Sequence, residues 1–206
     1  MKPQQQQLPQ YKIKHNSFIL QKYIEKPFLV YQRKFDIRVW VFVNYDSSVY
    51  FFPEGYLRTS SSEFEIDPNN PDDQYVHLTN NAIQKYSQSY GVFEDGNQMS
   101  FQQFQVYLEE HGFNYSVKDH TVQTMRSLIM RSMLATRKLI DPLKRRGCFE
   151  LFGYDFIIDE DFNTWLIEVN TNPCIEESSK VLKVLLPRMI EDMLKLSVDQ
   201  YFSDFA

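Results

Sequence analysis

The sequence predicts a mixed α/β (α+β) fold in which helices flank a mostly antiparallel sheet. Hydrophobic residues make up 43% of the 206 residues and aromatic residues 16%, which is typical of a globular chain with a real core. Several segments alternate apolar and polar residues with the period of two that strands show. Residues 120–140 instead repeat apolar residues every three or four positions, as amphipathic helices do.

The first half of the chain contains the predicted strands. Residues 18–24 are predicted to form a strand that ends before Pro27, because proline cannot donate to a sheet. Residues 34–43 alternate well enough for a second strand, and residues 48–58 can return antiparallel to it. Residues 60–75 are predicted to be a loop, since Ser, Pro, Asn and Asp dominate there.

Three helices are predicted further along the chain. Residues 99–112 form a short helix with Ser100 as its N-cap. Residues 120–140 carry one apolar stripe, made of Val122, Met125, Ile129, Met133, Thr136 and Ile140. Residues 179–199 form the last helix, and we expect Pro187 to lie in a first turn, where proline is best tolerated.

Residues 152–170 are predicted to form a hairpin, because a polar turn rich in Asp and Asn separates two apolar runs. Folding the segment about Asp161 and Phe162 places Asp155 opposite Glu168. The period of two assigns seven residues to one apolar face: Phe152, Tyr154, Phe156, Ile158, Trp165, Ile167 and Val169. Asp155, Glu168 and Asn170 converge on the other face.

Two carboxylates that face each other across a strand pair are destabilising unless something relieves their repulsion. Mg²⁺ suits the set formed by Asp155, Glu168 and Asn170, because it takes one or two carboxylates and leaves positions open for phosphate oxygens. The alternative is the solvated outer face of an edge hairpin, which shows the same polar and apolar alternation. The pattern alone leaves both hypotheses open.

The strand at 34–43 carries Lys34, Asp36 and Arg38 on one face, opposite a wholly apolar face. Such a row can be a surface ion-pair ladder worth at most ~1 kcal/mol. It can equally hold phosphate and carboxylate groups, since Arg binds both in a bidentate manner. The strand pattern favours neither alternative.

Composition excludes some classes of function. A net charge of −5 argues against nucleic acid as the main partner. No apolar run reaches the roughly 18 residues that a membrane span needs, so no membrane partner is expected. Residues 1–17 are predicted to be a polar, Gln-rich leader without the apolar core of a signal peptide. Cys148 and Cys174 lack metal-ligand spacing, which fits a reducing cytosol and predicts packing roles.

Four segments, in this order, resemble the tubulin–tyrosine ligase-like family: "FILQKYIEKPFLVYQRKFDIRVWVFV", "GYLRTSS", "YVHLTNNAIQKYS" and "FELFGYDFIIDEDFNTWLIEVNTNP". The resemblance covers residues 18 to roughly 199 and implies an ATP-grasp fold over residues 18–206. It also implies an ATP- and Mg²⁺-dependent ligase that adds glutamate, glycine or tyrosine to tubulin tails through an acyl-phosphate. The expected partners are a free amino acid and tubulin in microtubules, and the expected location is the cytoplasm and cytoskeleton, including the cilium or axoneme.

The resemblance assigns roles to individual residues. The strand that holds adenine matches Gln21, Lys22, Tyr23 and Ile24. Positions that contact the nucleotide phosphate and ribose match Lys34 and Asp36. Arginines that approach the phosphates and the substrate carboxylate match Arg38 and Arg58. A loop lining the nucleotide and amino-acid site matches His77, Thr79 and Asn80. The metal-binding set matches Asp155, Glu168 and Asn170, and with it the catalytic set becomes Arg38, Arg58 and Glu168.

One feature departs from the family. Part of the family's nucleotide site comes from an upstream Gly-rich loop and a phosphate-contacting Lys, whereas residues 1–15 contain no glycine. We therefore expect a partial domain without the N-terminal lobe: a fragment, a truncated gene model or a protein without catalysis. The alternative function is a non-catalytic, truncated family member that acts as a microtubule-associated binding module. Another ATP-grasp ligase with a small-molecule substrate is a third hypothesis, which the tubulin-type motifs disfavour.

The predicted helix at 120–140 is basic beside its apolar stripe. Its cations are Arg126, Arg131, Arg137 and Lys138, and the following residues add Lys144, Arg145 and Arg146. Tubulin tails are acidic, so a local basic surface on a net acidic chain can attract them. The alternative is an ordinary solvated helix face.

Overall fold

The computed structural model describes residues 19–67, 70, 72–140, 145 and 147–203. Within them lies a six-stranded sheet in the order β4-β3-β2-β5-β6, with β1 paired to β2, and every pair is antiparallel. The strands are β1 Leu29–Val30, β2 Arg33–Val43, β3 Val49–Thr59, β4 Gln98–Ser100, β5 Glu150–Ile158 and β6 Thr164–Asn170. The predicted mixed α/β fold with a mostly antiparallel sheet is confirmed.

Among the described residues, six α-helices accompany the sheet: α1 Gln74–His77, α2 Asn81–Gln84, α3 Phe101–Glu110, α4 Val122–Ile140, α5 Lys180–Leu194 and α6 Gln200–Ser203. A π-helical turn over Val117–Thr121 leads into α4, and another over Lys195–Asp199 follows α5. The expected leader, residues 1–17, lies outside the described residues, as do Lys144 and Arg146 of the predicted basic segment.

Strand β2 is the centre of the fold, and all eleven of its residues are buried. It is buried because β3 and β5 cover its two edges and helices cover its two faces. One face packs its Phe, Ile and Val side chains against α3 and α4, through residues such as Phe104, Met125 and Ile129. The other face presents Trp40, which packs against apolar residues of α5 such as Leu186.

The predicted helices are present, with two corrections. Ser100 caps α3 through a reciprocal pair of bonds with Gln103, so the predicted N-cap is confirmed. On α4 the first four residues of the predicted stripe are buried and Ile140 packs against the core, but Thr136 is exposed. The prediction for Pro187 was wrong, since it lies inside α5 rather than in its first turn.

The predicted strand at 18–24 was wrong. Residues 19–24 form no strand, and the side chains of Ile19 and Leu20 are 94% and 102% exposed. No described strand pairs with this segment, so its backbone lacks the hydrogen-bonded neighbour that a strand needs. The cysteines were also mispredicted: Cys148 and Cys174 are exposed rather than packed.

The hairpin of β5 and β6 contains a bulge that the period of two missed. Asp155 pairs with Glu168 as predicted, but the next pair is Phe156 with Leu166, which leaves Ile167 as the extra residue. Because of the bulge, residues 164–166 of β6 point to the faces opposite to those that strict alternation predicted. Leu166 therefore packs on the core, while Trp165 pairs with Ile157 on the opposite face and is half exposed.

Candidate active site

The polar face of the sheet gathers charged side chains from three adjacent strands. Cross-strand register places Asp36 of β2 beside Arg58 of β3, and Arg38 of β2 beside Asp155 of β5. Arg58 donates to Asp36 through Nε at 2.6 Å and Nη2 at 2.5 Å. Arg38 donates to Asp155 through Nε at 2.5 Å and Nη2 at 3.0 Å. Both pairs are bidentate, the most specific geometry for an arginine and a carboxylate.

Asp155 joins the two pairs into one network. Besides Arg38, the Nη2 atom of Arg58 lies 2.9 Å from its Oδ2, and the Asn170 amide donates to the same oxygen at 3.3 Å. Asp155 is only 2% exposed. Burial alone would raise its pKa, but the hydrogen bonds from Arg38 and the charge of Arg58 outweigh burial, so the pKa lies below its ordinary value. The carboxylate stays ionised in a dry environment.

The same network stabilises the charged form of Arg58. Burial would lower the pKa of Arg58, but the carboxylates of Asp36 and Asp155 raise it above its ordinary value. Lys34, Asp36 and Arg38 are all buried. The surface ion-pair ladder is therefore excluded as the interpretation of this row. A buried ion pair is costly to break, because the remaining partner keeps an unpaired charge.

The three residues predicted to bind metal lie together. The Asn170 amide donates to Glu168 Oε1 at 3.0 Å as well as to Asp155, so one side chain bridges both carboxylates. The two carboxylates supply hard oxygen donors that fit Mg²⁺, which needs only one or two carboxylates from the protein, while the nitrogen of the Asn170 amide, not its oxygen, faces them in this structure. No group of three or more His, Cys, Asp or Glu with metal-binding geometry occurs in the described part of the chain.

A second polar cluster surrounds Lys34. Its Nζ atom donates to the Tyr23 hydroxyl at 3.0 Å and to the His77 carbonyl oxygen at 2.9 Å. The Tyr23 hydroxyl also lies 2.8 Å from His77 Nδ1. Burial lowers the pKa of Lys34, partly offset by the nearby Asp36, and burial raises the pKa of Tyr23. Lys34 thus stands between this cluster and the arginine network, on the same face of β2 as Asp36.

The remaining predicted residues are less connected. The Gln21 amide donates to the backbone oxygen of Ile167 at 3.5 Å, a long bond that places it near β6. Ile24 is half-buried. Among the described residues, three predicted side chains make no hydrogen bond to either cluster: Lys22, Thr79 and Asn80. No contact in the structure bears on their predicted roles, which stay predictions.

Sequence reasoning missed Gly153 as part of this site. A Cβ added there would lie 3.3 Å from both Cζ and Nε of Arg38 and 2.8 Å from Cβ of Pro173. A side chain at this position would clash with Pro173 and press on the guanidinium of Arg38. The signal was available in part, because Gly153 precedes Asp155 by two positions and shares its face.

Gln84 was missed as well. It is fully buried, and its amide group donates to the backbone oxygens of Tyr75 and Leu78 while accepting from the Ser61 backbone N–H at 2.8 Å. These bonds tie the segment that carries His77 to the end of β3. A glutamine in the polar stretch "NNAIQKYS" gives no sequence signal for burial.

The fold and this face define a class: a mixed α/β domain whose antiparallel sheet presents buried arginine–carboxylate pairs beside a carboxylate pair and a buried lysine. The model of the tubulin-tyrosine ligase family matches residues 3–204. The chain belongs to this family, and its fold is ATP-grasp-like, as the resemblance implied.

Individual relatives are similar over most of the chain. Tubulin glycylase 3B of Tetrahymena thermophila is 35% identical over 188 residues, covering 90% of this chain and 16% of the relative. Human protein monoglycylase TTLL8 is 34% identical over 191 residues, covering 90% and 22%. The bovine probable tubulin polyglutamylase TTLL9 is 37% identical over 183 residues, covering 87% and 38%. The chain thus spans between 16% and 38% of the length of these three relatives.

Helices long and apolar enough to cross a membrane are absent from the part of the chain that the structure describes.

Proposed function

We propose that this chain is part of an ATP-dependent ligase that joins an amino acid to tubulin tails through an acyl-phosphate intermediate. Family membership supports ligase chemistry, and the relatives are named as tubulin glycylases and a probable polyglutamylase. Among glutamate, glycine and tyrosine, those names favour glycine or glutamate as the added residue. The single observation that carries the proposal is the buried network of Arg38, Arg58 and Asp155 beside Glu168.

The arginines address the main electrostatic problem of this reaction. A carboxylate must approach the γ-phosphate of ATP, and both groups are anionic. Arg38 and Arg58 are held rigidly by Asp155 and Asp36, so their guanidinium groups are oriented before any substrate arrives. Preoriented positive charge in a dry site stabilises developing negative charge without the cost of reorganisation. The amine of the second substrate then displaces phosphate from the acyl-phosphate.

Asp155, Glu168 and Asn170 are the residues that would hold Mg²⁺. When bound there, the ion supplies positive charge that offsets the phosphate oxygens of ATP. Asn170 keeps the two carboxylates close through its amide, and Glu168, the exposed member, offers the accessible oxygens.

Lys34 is proposed to contact a nucleotide phosphate, and Asp36 the ribose side. Gln21, Lys22, Tyr23 and Ile24 are proposed to line the adenine, with His77, Thr79 and Asn80 lining the adjoining loop. The contact of Lys34 with Tyr23 and with the His77 carbonyl supports a common site for the two segments. The proposed location is cytoplasmic and cytoskeletal, including the cilium or axoneme, where tubulin substrates lie.

A non-catalytic, microtubule-associated binding module is the second candidate. One observation favours it: both oxygens of Asp155 already accept hydrogen bonds from arginines, so the network is charge-balanced without a ligand. Such a network can persist for structural reasons alone. Loss of ligation with retained microtubule binding in every version of the protein would favour this candidate.

The experiment compares Glu168→Gln with Glu160→Gln in the longest version of the protein that carries out ligation. We expect Glu168→Gln to lower incorporation of labelled glycine or glutamate into tubulin by at least about a hundredfold, because a metal ligand is lost. Glu160 is the matched control, since it is an exposed glutamate of the same hairpin, paired with Lys26. Unchanged turnover in Glu168→Gln would remove Glu168 from the metal role.

A further inference from the structure

The outer surface of α4 is basic and partly apolar, and the site described above does not use it. The helix buries Val122, Met125, Ile129 and Met133 against the sheet. Its nineteen residues contain no aspartate or glutamate, and its exposed cations are Arg126, Arg131, Arg137 and Lys138. None of these four cations forms an ion pair with another residue that the structure describes. Their side chains are therefore not held in an ion pair, although Asp119 and Asp161 line the same cleft as Arg131, and Glu54 and Glu109 the same cleft as Arg126.

Helical geometry sorts these cations into two rows. At about 100° per residue, Arg126 and Arg137 lie within about 20° of each other around the axis, and so do Arg131 and Lys138. The two rows are separated by about 120°. Along the axis, Arg126 and Arg137 are about 16 Å apart, a distance that about five residues of extended peptide span.

Two exposed apolar side chains fill the space between the rows. Met130 is 44% exposed and Leu134 is 59% exposed, and their spacing of four residues makes them neighbours on one ridge. This ridge gives the face an apolar contact area between its two rows of positive charge. Together, the six residues Arg126, Met130, Arg131, Leu134, Arg137 and Lys138 form a surface that we call the α4 face.

We propose that the α4 face binds an extended acidic peptide that carries an apolar side chain. The carboxylates would pair with the two basic rows, and the apolar group would cover Met130 and Leu134. The charge complementarity is local, since the whole chain has a net charge of −5. The proposal rests on the proposed function in one respect only: if the chain is part of a tubulin ligase, the peptide would be a tubulin tail.

Fluorescence anisotropy on the 206-residue chain tests this proposal, with a labelled glutamate peptide containing one central leucine as the probe. We expect Arg131→Glu with Lys138→Glu to weaken binding about tenfold and to flatten its salt dependence, because exposed charges act over about 8 Å at physiological ionic strength. The matched control is Lys180→Glu with Lys183→Glu, which makes the same charge change at exposed positions of α5. The control should bind within about twofold of the original chain.

A second variant tests the ridge. Met130→Ser with Leu134→Ser should remove the preference for the leucine-containing peptide over an all-glutamate peptide, with the salt dependence retained. Thermal unfolding of each variant shows whether it is folded. Equal loss of binding in the α5 control, or unchanged binding in the α4 variants, would overturn the proposal. So would tighter binding to single-stranded DNA or to phosphatidylserine vesicles than to the peptide.

The two proposals fail separately. If peptide binding maps to the α4 face while no longer version of the protein ligates amino acids, the docking surface stands and the ligase function falls. If ligation proceeds normally with the α4 face reversed in charge, and the peptide does not bind, the docking proposal alone is wrong.

Discussion

Substituting Asp155 by asparagine should destabilise the chain strongly. The change keeps the shape of the side chain but removes the charge that accepts two bonds from Arg38 and one close contact from Arg58. Arg58 retains Asp36 as a partner, whereas Arg38 has no other acceptor among its described contacts. The substitution therefore leaves one buried, unpaired guanidinium.

The magnitude follows from that geometry. Removing one partner of a buried ion pair costs about 3–5 kcal/mol. For a chain of this size each 1 kcal/mol lowers the melting temperature by about 2–4 °C, so we expect Tm to fall by roughly 10 °C. Differential scanning calorimetry measures the shift. Glu168→Gln is the control, because Glu168 is exposed and its loss should cost less than about 0.5 kcal/mol.

A double variant makes the reasoning refutable. Arg38→Met in the Asp155→Asn background removes the unpaired charge, and it should recover at least about half of the lost stability. A Tm for Asp155→Asn within about 2 °C of the original chain would show that the buried pair contributes little to folding. A double variant that is less stable than Asp155→Asn alone would show that packing, not charge, sets the cost.

Two further predictions concern pH and packing. Because the folded pKa of Asp155 lies below its ordinary value, its stabilisation is present above the unfolded pKa of about 3.9 and is lost as pH falls through the folded pKa. Acid titration of stability should therefore be shallower in Asp155→Asn, and identical curves would contradict this. Gly55→Ala should cost about 3 kcal/mol, since the added Cβ would lie 2.5 Å from the Arg38 backbone oxygen and 2.9 Å from Phe101. Urea unfolding measures the cost, with Gly112→Ala as the comparison. The Cβ added at Gly112 meets nothing within 4 Å, so only the φ of +78° should destabilise that variant, by about 1 kcal/mol. Equal losses of unfolding free energy in the two variants would refute the packing argument.

Local sequence patterns were enough to predict several elements of the fold. The alternation of β2 identified its core face, and Ser100 was correctly predicted as the N-cap of α3. The core face and the N-cap depend on residues close together in the sequence, where steric and hydrogen-bonding rules act directly. The pairing of Asp155 with Glu168 was predicted from a turn centred between Asp161 and Phe162, whereas the turn is centred on Asp161 and the bulge at Ile167 restores this pair.

Features that depend on distant partners escaped prediction. The bulge at Ile167 adds one residue to β6, and a strict period of two cannot contain an extra residue. Arg58 contacts both Asp36 and Asp155 only because β2 lies between β3 and β5. The segment 19–24 has the composition of a strand, but no strand pairs with it, so it does not form one.

The buried amide of Gln84 has a consequence for motion. It holds the backbone at Tyr75 and Leu78 against Ser61, so the segment carrying His77 is anchored to β3 on both sides of that residue. Ordering a free loop costs about 1–2 kcal/mol per residue. Because this segment is already ordered, a ligand that contacts it would bind without that loss of free energy. Backbone amides near His77 should accordingly exchange with deuterium as slowly as those of the neighbouring strand end. We therefore expect this segment to move with the sheet rather than to open and close over the site.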